Sequence, residues 1–554
     1  MLKILILNSI IVAVFGNFFE VNTQQGMVKG KLDVAEKNRT FYSFTGIPYA
    51  APPIGSLRFE SPVRVNSWDS VFDATRPHPE CVQFLILDNS ISVVGDEDCL
   101  YLNIYTPQLS FSLSVSQNLL PVLFYIHGGA FVEGSGRKEL WGPKLLLTKD
   151  IVLVLFNYRL GAFGFLSTGD AAQPGNLGLK DQAFALQWVK NNIRSFGGNP
   201  EKITVMGHSA GGFSAHMHMF SPLTKNFIKG VIAQSGTALN PWGLVPIQVV
   251  KNRTKILANS LGCVNNVDTT SMINCLKTKP VMDIMDAIKP IMEGRSGDIT
   301  VFRPVIESDC NKAFLCHHPI ELIKTGNMAD VPFLCGVTAQ DGAIISGPIL
   351  VNDTLVSNYN KHFDDFMKYS LLFADLMPLE TFKKISKAIR HYYLKDNLIG
   401  NSTITEFTNI FTDACFLYPA QESVSLHANY SKHNVYNYLY AYKGTETFGQ
   451  WYYGNAHDFG VVHGDELFYL FDSNVLYPNY KLTGSDKKIS DFLITLWTNF
   501  VYYGNPTPND HSWKAFKCNQ ENYYIINGSY KNEVDESLEK ERVDFWKNLW
   551  KTVL

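Results

Sequence analysis

Charge is scarce in this 554-residue chain: 18% of residues are charged and the net charge is −3. No basic stripe runs along it, which leaves no reason to invoke a nucleic-acid partner. Low-complexity linkers and internal repeats are also missing, and 46% of residues are hydrophobic with 13% aromatic. Such a chain can bury a large core and is not disordered. The C-terminus ends Trp550-Lys551-Thr552-Val553-Leu554, with neither an ER-retention tetrapeptide nor a lipid-anchor tail. No apolar run approaches the about 20 residues that cross a bilayer.

The one conspicuous apolar run stands at the start. Lys3 is followed by Ile4 to Phe15, broken by Asn8 and Ser9, and then by Gly16. An early positive charge, a short apolar core and a small exit residue predict a secretory signal peptide over residues 1–16. Residues 17–554 would then form one domain of a secreted, extracellular protein without a membrane anchor. Sequons at Asn38, Asn252, Asn352, Asn401, Asn429 and Asn527 are candidate glycosylation sites consistent with export. Nine cysteines in an exported chain suggest disulfides with at least one thiol left over. Cys81 with Cys99, and Cys263 with Cys275, would each close a short loop. Cys310 with Cys316 is a candidate third pair, while Cys335, Cys415 and Cys518 stay unassigned.

Along the chain, Thr40 to Phe59 is rich in Pro, Gly and aromatics and reads as an ordered loop packed on a core. Glu97 to Tyr105 alternates like a half-exposed strand. Pro121–Ile126 and Ile151–Phe156 are continuous apolar runs, the pattern of strands buried on both faces. Leu179, Ala183, Leu186, Val189 and Ile193 recur at helical spacing until Gly197-Gly198-Asn199-Pro200 stops them. Strands at Ile203–Gly207, Gly230–Gln234, Val331–Gly336 and Val435–Tyr440 follow. A mostly helical stretch spans Thr254 to Ile410, and amphipathic helices contain Ile489–Phe500 and Phe545–Trp550. Strand–helix alternation of this kind is the signature of an α/β sheet with right-handed crossovers. A helical insertion would lie above it.

Within that order stands Gly207-His208-Ser209-Ala210-Gly211, where a strand turns sharply into a helix. Glycine is needed on both sides because a Cβ would strike the tightened backbone, and the turn lifts one hydroxyl above the sheet. A serine hydroxyl needs a general base, and the base needs a carboxylate to orient it. His463, in Val461-Val462-His463-Gly464, is the candidate base among 14 histidines. His457 is its nearest rival but lacks the glycine-bracketed setting. Asp341, just beyond a strand end, is the candidate carboxylate, where site residues of such sheets collect. Upstream, His127-Gly128-Gly129-Ala130 follows a strand and can present backbone N–H groups. Gly129 and Ala130, with Ala210, would form an oxyanion hole.

These residues, with Phe44-Thr45-Gly46-Ile47-Pro48-Tyr49-Ala50, Glu97-Asp98-Cys99-Leu100-Tyr101-Leu102-Asn103, Asn157-Tyr158-Arg159, Phe196-Gly197-Gly198-Asn199-Pro200 and Trp497-Thr498-Asn499-Phe500, resemble the type-B carboxylesterase family. The matches run from about Phe44 to Pro508. The resemblance implies the α/β-hydrolase fold: a central, mostly parallel, twisted sheet flanked by helices, with a helical insertion over the active site. It implies a serine esterase acting on a small-molecule ester with no cofactor or metal. Ser209, Asp341 and His463 fall at the triad positions, and Gly129, Ala130 and Ala210 at the oxyanion positions. It also implies disulfides Cys81–Cys99 and Cys263–Cys275, ion pairs Arg58–Glu97 and Arg159–Asp181, and Trp242 as an acyl-pocket residue. Two departures from the family pattern stand out. Many members carry Glu at the position of Asp341. No Trp lies between Cys81 and Cys99, so the cation–π site of cholinesterases is missing. His208 before the nucleophile resembles insect secreted esterases that act on general, xenobiotic or dietary esters. A dedicated hormone or pheromone esterase, of the juvenile hormone esterase kind, and a non-catalytic adhesion protein are the alternatives.

Overall fold

The computed structural model of the chain describes residues 18–85, 92–109, 118–264, 268–293, 300–473, 475–476, 478, 480–529, 534–536 and 538–551. The expected signal peptide, 1–16, lies outside the described residues. The scaffold is one large mixed sheet. Its principal strands are β1 (Phe18–Asn22), β2 (Met27–Val34), β3 (Thr40–Pro48), β4 (Tyr101–Thr106), β5 (Leu120–Ile126) and β6 (Val152–Phe156), followed by β7 (Gly198–His208), β8 (Ile228–Gln234), β9 (Phe333–Thr338), β10 (Val435–Tyr440), β11 (Asn522–Ile526) and β12 (Val534–Glu536).

Spatially the strands run β1-β2-β3-β4-β6-β5-β7-β8-β9-β10-β11-β12. From β6 to β11 every neighbour is parallel, whereas β1 to β4 and the last strand add antiparallel flanks. This is the α/β sheet that the strand–helix alternation implies, in the α/β-hydrolase arrangement that the family resemblance implies. Every residue of β5, β6 and β9 is buried, as expected for parallel strands covered by helices on both faces. The helix Leu177–Asn192 covers one such face and ends where a short 3₁₀ turn meets Gly197 at φ 78°, a backbone angle that glycine adopts freely.

Two expectations are corrected. Thr40–Phe59 is not a loop throughout: its first half is β3, paired with β2 and β4. Its Gly and Pro fit because the β4 register shifts between Phe44 and Ile47 and Pro48 closes the strand, positions where sheets tolerate both residues. The strand expected from Glu97 begins only at Tyr101; Cys99 is held in a disulfide with Cys81 and Glu97 in a buried ion pair.

All three expected disulfides form, with Cα separations of 4.9 Å for Cys81–Cys99, 5.6 Å for Cys263–Cys275 and 5.4 Å for Cys310–Cys316. Cys335 and Cys415 remain as buried thiols and Cys518 as an exposed one. Arg58 grips Glu97 with two bonds of 2.6 Å and also donates to the carbonyl oxygen of Lys277 at 3.1 Å. Arg159 grips Asp181 with two bonds of 2.7 Å. A third buried pair, Lys180–Glu307 at 2.6 Å, has no counterpart among the sequence expectations. Glu307 also accepts from Asn176 and from the N–H of Phe314, which ties the Cys310–Cys316 loop to the sheet-covering helix.

Candidate active site

The parallel strands deliver their C-terminal ends to one edge of the sheet, where ligands of open α/β sheets bind. β7 ends at His208, between β5 on one side and β8 on the other. Ser209 follows with φ 58° and ψ −125°, and the helix Ala210–Met217 begins at once. A Cβ added to Gly207 would fall 2.1 Å from the carbonyl oxygen of Gly211, and one added to Gly211 would fall 2.0 Å from that of Ile126. Both glycines are therefore dictated by close backbone approach. Ser209 is half-exposed between buried neighbours.

Asp341 and His463 are joined directly: His463 Nδ1 lies 2.8 Å from Asp341 Oδ1. Asp341 is fully buried, and its Oδ2 accepts from Ser235 Oγ and from the Thr338 N–H, each at 2.9 Å. A carboxylate can only accept, so Nδ1 carries the proton and Nε2 of a neutral His463 is left as a base. Gln340 sets the height of the histidine loop, donating its N–H to Val461 O at 2.9 Å and accepting the Val461 N–H on its side chain at 2.8 Å. His457 takes no part in this linkage; its ring packs on Phe459.

Ser209 approaches this pair through its neighbours rather than through a hydrogen bond of its hydroxyl among the described residues. The ring of His208 lies 4.3 Å from that of His463, centroid to centroid. Burial, and next the charge of His463, hold the His208 imidazole well below its ordinary pKa, so it contributes no charge to the site. The Ser209 N–H donates to the carbonyl oxygen of Gln234 at 2.8 Å. The next residue, Ser235, is the one bonded to Asp341. The dipeptide Gln234-Ser235 at the end of β8 thus holds the Ser209 turn by its carbonyl and the Asp341 carboxylate by its hydroxyl. Sequence reasoning missed both residues.

The glycine loop after β5 passes beside the serine, for a Cβ on Gly128 would stand 3.0 Å from Ser209 Cβ. Gly129, Ala130 and Phe131 have φ of 105°, 54° and 63°. Successive residues at positive φ form a concave backbone of the kind that gathers N–H groups around an anion. Gly129 and Ala130 are partly exposed, while Phe131 is buried against Phe165 and Phe213. Ala210 is the first residue of the helix, where the N–H has no partner in its own helix.

An aromatic wall connects these parts. Phe131 packs on Phe213, Phe213 on Trp242, Trp242 on Phe416 and Phe416 on His463, with centroids 4.9 to 6.1 Å apart. Trp242 is 7% exposed and donates its indole N–H to Cys415 O at 2.9 Å. It therefore lies in the wall that runs from the glycine loop to His463.

Comparison with known proteins adds a name to this geometry. Residues 18–546 match the model of the carboxylesterase family. The chain is 36% identical over 539 residues to a carboxylic ester hydrolase of Bombus ignitus, covering 96% of this chain and 94% of that one. It is 35% identical to venom carboxylesterase-6 of Apis mellifera, over 96% and 94% of the two chains. With a juvenile hormone esterase of Tribolium castaneum it shares 31% identity over 95% and 93%. A crystal structure of juvenile hormone esterase from Manduca sexta, with OTFP covalently attached, superimposes with a TM-score of 0.85 at 27% identity, covering 96% of this chain and all of that one.

Proposed function

This chain belongs to the carboxylesterase family and is a carboxylic ester hydrolase; from that premise we propose that Ser209 is its nucleophile, His463 its general base and Asp341 the carboxylate that orients the base. The observation that carries the assignment is the 2.8 Å bond between His463 Nδ1 and the buried Asp341, beside a serine held on a strained turn. Nε2 of His463 takes the hydroxyl proton as Ser209 Oγ bonds to the ester carbonyl carbon, and the carbonyl π electrons move onto oxygen. The N–H groups of Gly129, Ala130 and Ala210 hold that oxyanion. Collapse of the intermediate breaks the carbon–alkoxy bond, and the leaving alcohol takes the proton from His463. Water, deprotonated by the same nitrogen, then attacks the acyl-enzyme; collapse frees the acid and returns the proton to Ser209.

The substrates we propose are small uncharged esters of general, xenobiotic or dietary origin, with the acyl chain against Trp242 and Phe416. A neutral His208 supports the lack of charge. A hormone ester is the second reading, favoured by the likeness to two juvenile hormone esterases. Secretion is supported by the residue 1–16 pattern, by three disulfides, and by the exposure of Asn38, Asn252, Asn352, Asn401, Asn429 and Asn527.

The test is hydrolysis of p-nitrophenyl butyrate by wild type and Ser209→Ala, together with organophosphate labelling and peptide mapping. Turnover lost in the variant and a label on Ser209 are expected; equal turnover, or a label elsewhere, overturns the assignment. A juvenile-hormone-like methyl ester run in parallel, preferred over the short aryl ester by kcat/KM, would replace the general reading with the hormonal one.

A further inference from the structure

Three residues beyond His463, Glu466 lies fully buried in a short 3₁₀ turn spanning Asp465–Tyr469. Its Oε1 accepts from the side-chain amide of Gln234 at 3.1 Å. The orientation of that amide is fixed independently. The indole N–H of Trp497, which can only donate, points at Gln234 Oε1 from 3.4 Å. The NH₂ end of Gln234 must therefore face Glu466. The same Gln234 offers its carbonyl to the N–H of Ser209. A continuous path runs from the turn that follows the base to the backbone of the nucleophile.

The other oxygen, Oε2, is buried and has no hydrogen-bond partner among the described residues. A carboxylate placed so would be a dry charge with one bond to hold it, and the neutral acid is the form such a site tolerates. Burial first, and the charge of Asp341 next, raise its pKa to about 8. Among the described residues no fixed cation pairs with it. Asp465 lies on its own turn, itself raised to about 7 mainly by burial. Asp341 follows β9, and the phenols of Tyr125 on β5 and of Tyr438 and Tyr440 on β10 are pushed far up by burial and partly by Glu466.

We propose that Glu466, in its neutral form, is a positioning residue: it holds Gln234, and through Gln234 the backbone of Ser209, so that its ionisation sets an alkaline limit to the esterase. This rests on Ser209 being the nucleophile. Once ionised, Glu466 adds a further negative charge to those of Asp341 and Asp465 in a dry core. Water entry or displacement of Gln234 relieves that charge, and either loosens the turn that carries Ser209. Substrate contacts are untouched, so kcat falls and KM does not.

The experiment measures kcat and KM for an uncharged aryl ester from about pH 6 to about pH 9.5 in wild type, Glu466→Gln and Glu466→Ala, with Ser209→Ala giving the background hydrolysis. Wild type should show an alkaline limb in kcat centred near pH 8. Glu466→Gln keeps a neutral acceptor for Gln234; it should retain kcat at pH 7 and lack the limb. Glu466→Ala leaves the amide end of Gln234 without its acceptor, the side chain held only by the long Trp497 bond, and should lose roughly ten- to a hundredfold in kcat at every pH with KM little changed. An identical alkaline limb in Glu466→Gln overturns the proposal, as does full kcat in a folded Glu466→Ala. Organophosphate labelling keeps the two readings apart: an unlabelled wild type sinks the Ser209 assignment, whereas labelled proteins with superimposable pH profiles sink the role of Glu466.

Discussion

Ser235 Oγ donates to Asp341 Oδ2 at 2.9 Å, from a residue whose own backbone stands at φ 47°. The bond fixes the carboxylate from the side opposite His463, and nothing in the sequence around Ser235 announces it. Ser235→Ala leaves Asp341 with one oxygen held only by the N–H of Thr338. A lost bond to a buried charged acceptor is worth about 1.5–3 kcal/mol. We expect kcat/KM to fall by roughly ten- to a hundredfold, with thermal stability reduced. Steady-state kinetics alongside a melting curve checks this, and unchanged kcat/KM would show that Thr338 suffices.

Asp341 itself separates charge from shape. Asp341→Asn keeps the volume but presents an amide that can lock His463 in the wrong tautomer, a change that costs about 10⁴-fold in kcat in well-studied triads. Asp341→Glu keeps the charge but forces an extra methylene into a fully buried site already bonded to Ser235, Thr338 and His463. Overpacking of that kind costs about 1–3 kcal/mol. The Glu variant should therefore stay measurably active, well above the Asn variant, although Glu is common at this position in the family. Reversal of that order in single-turnover acylation rates would sink the argument.

The pH dependence of stability has a definite sign. Asp465 and Glu466 are raised by burial to about 7 and about 8, against about 4 in an unfolded chain. As pH rises the unfolded chain ionises first. Stability from these two acids is whole below about pH 4 and is lost as pH climbs through 7 and 8, by up to about 1.4 kcal/mol per pH unit for each. Melting temperatures should therefore decline from pH 5 to pH 8.5. Glu466→Gln should flatten the slope while Ser209→Ala leaves it alone. A Glu466→Gln slope matching wild type would contradict the buried-acid account.

Trp242 should set acyl size. Trp242→Leu shortens the wall between Phe213 and Phe416 and removes the N–H bond to Cys415. Each methylene accommodated in an apolar pocket is worth about 1–3 kcal/mol. Relative to the butyrate, kcat/KM for the octanoate aryl ester should rise about tenfold or more. A ratio that does not move would place the acyl chain elsewhere.

Much of the site was legible because its signals are local. Gly207 and Gly211 announce a tight turn since their Cβ positions are occupied by nearby backbone, and Asp341 follows a strand that periodicity locates to within a few residues, whereas His463 stands beyond β10 and the helix Phe448–Tyr453, marked by its glycine-bracketed setting. Thr40–Pro48 was misread because a bulge hosts its Gly and a strand end its Pro, and composition cannot tell those from a loop. Ser235 and Glu466 escaped because each becomes a partner only across more than a hundred residues of chain; the separations are 106 for Ser235 to Asp341 and 232 for Glu466 to Gln234. Lys180 and Glu307, 127 apart, are equally silent in one dimension.

The backbone of Ser209 lies at φ 58° and ψ −125°, where an L-residue is held against its own preference at about 1–3 kcal/mol. Glycine would sit there more comfortably than serine. Were stability the only demand on this turn, the hydroxyl would be the part the fold could best do without. The side chain we propose as the nucleophile is thus one the scaffold tolerates rather than needs, and the rest of the sheet edge is what keeps it in place.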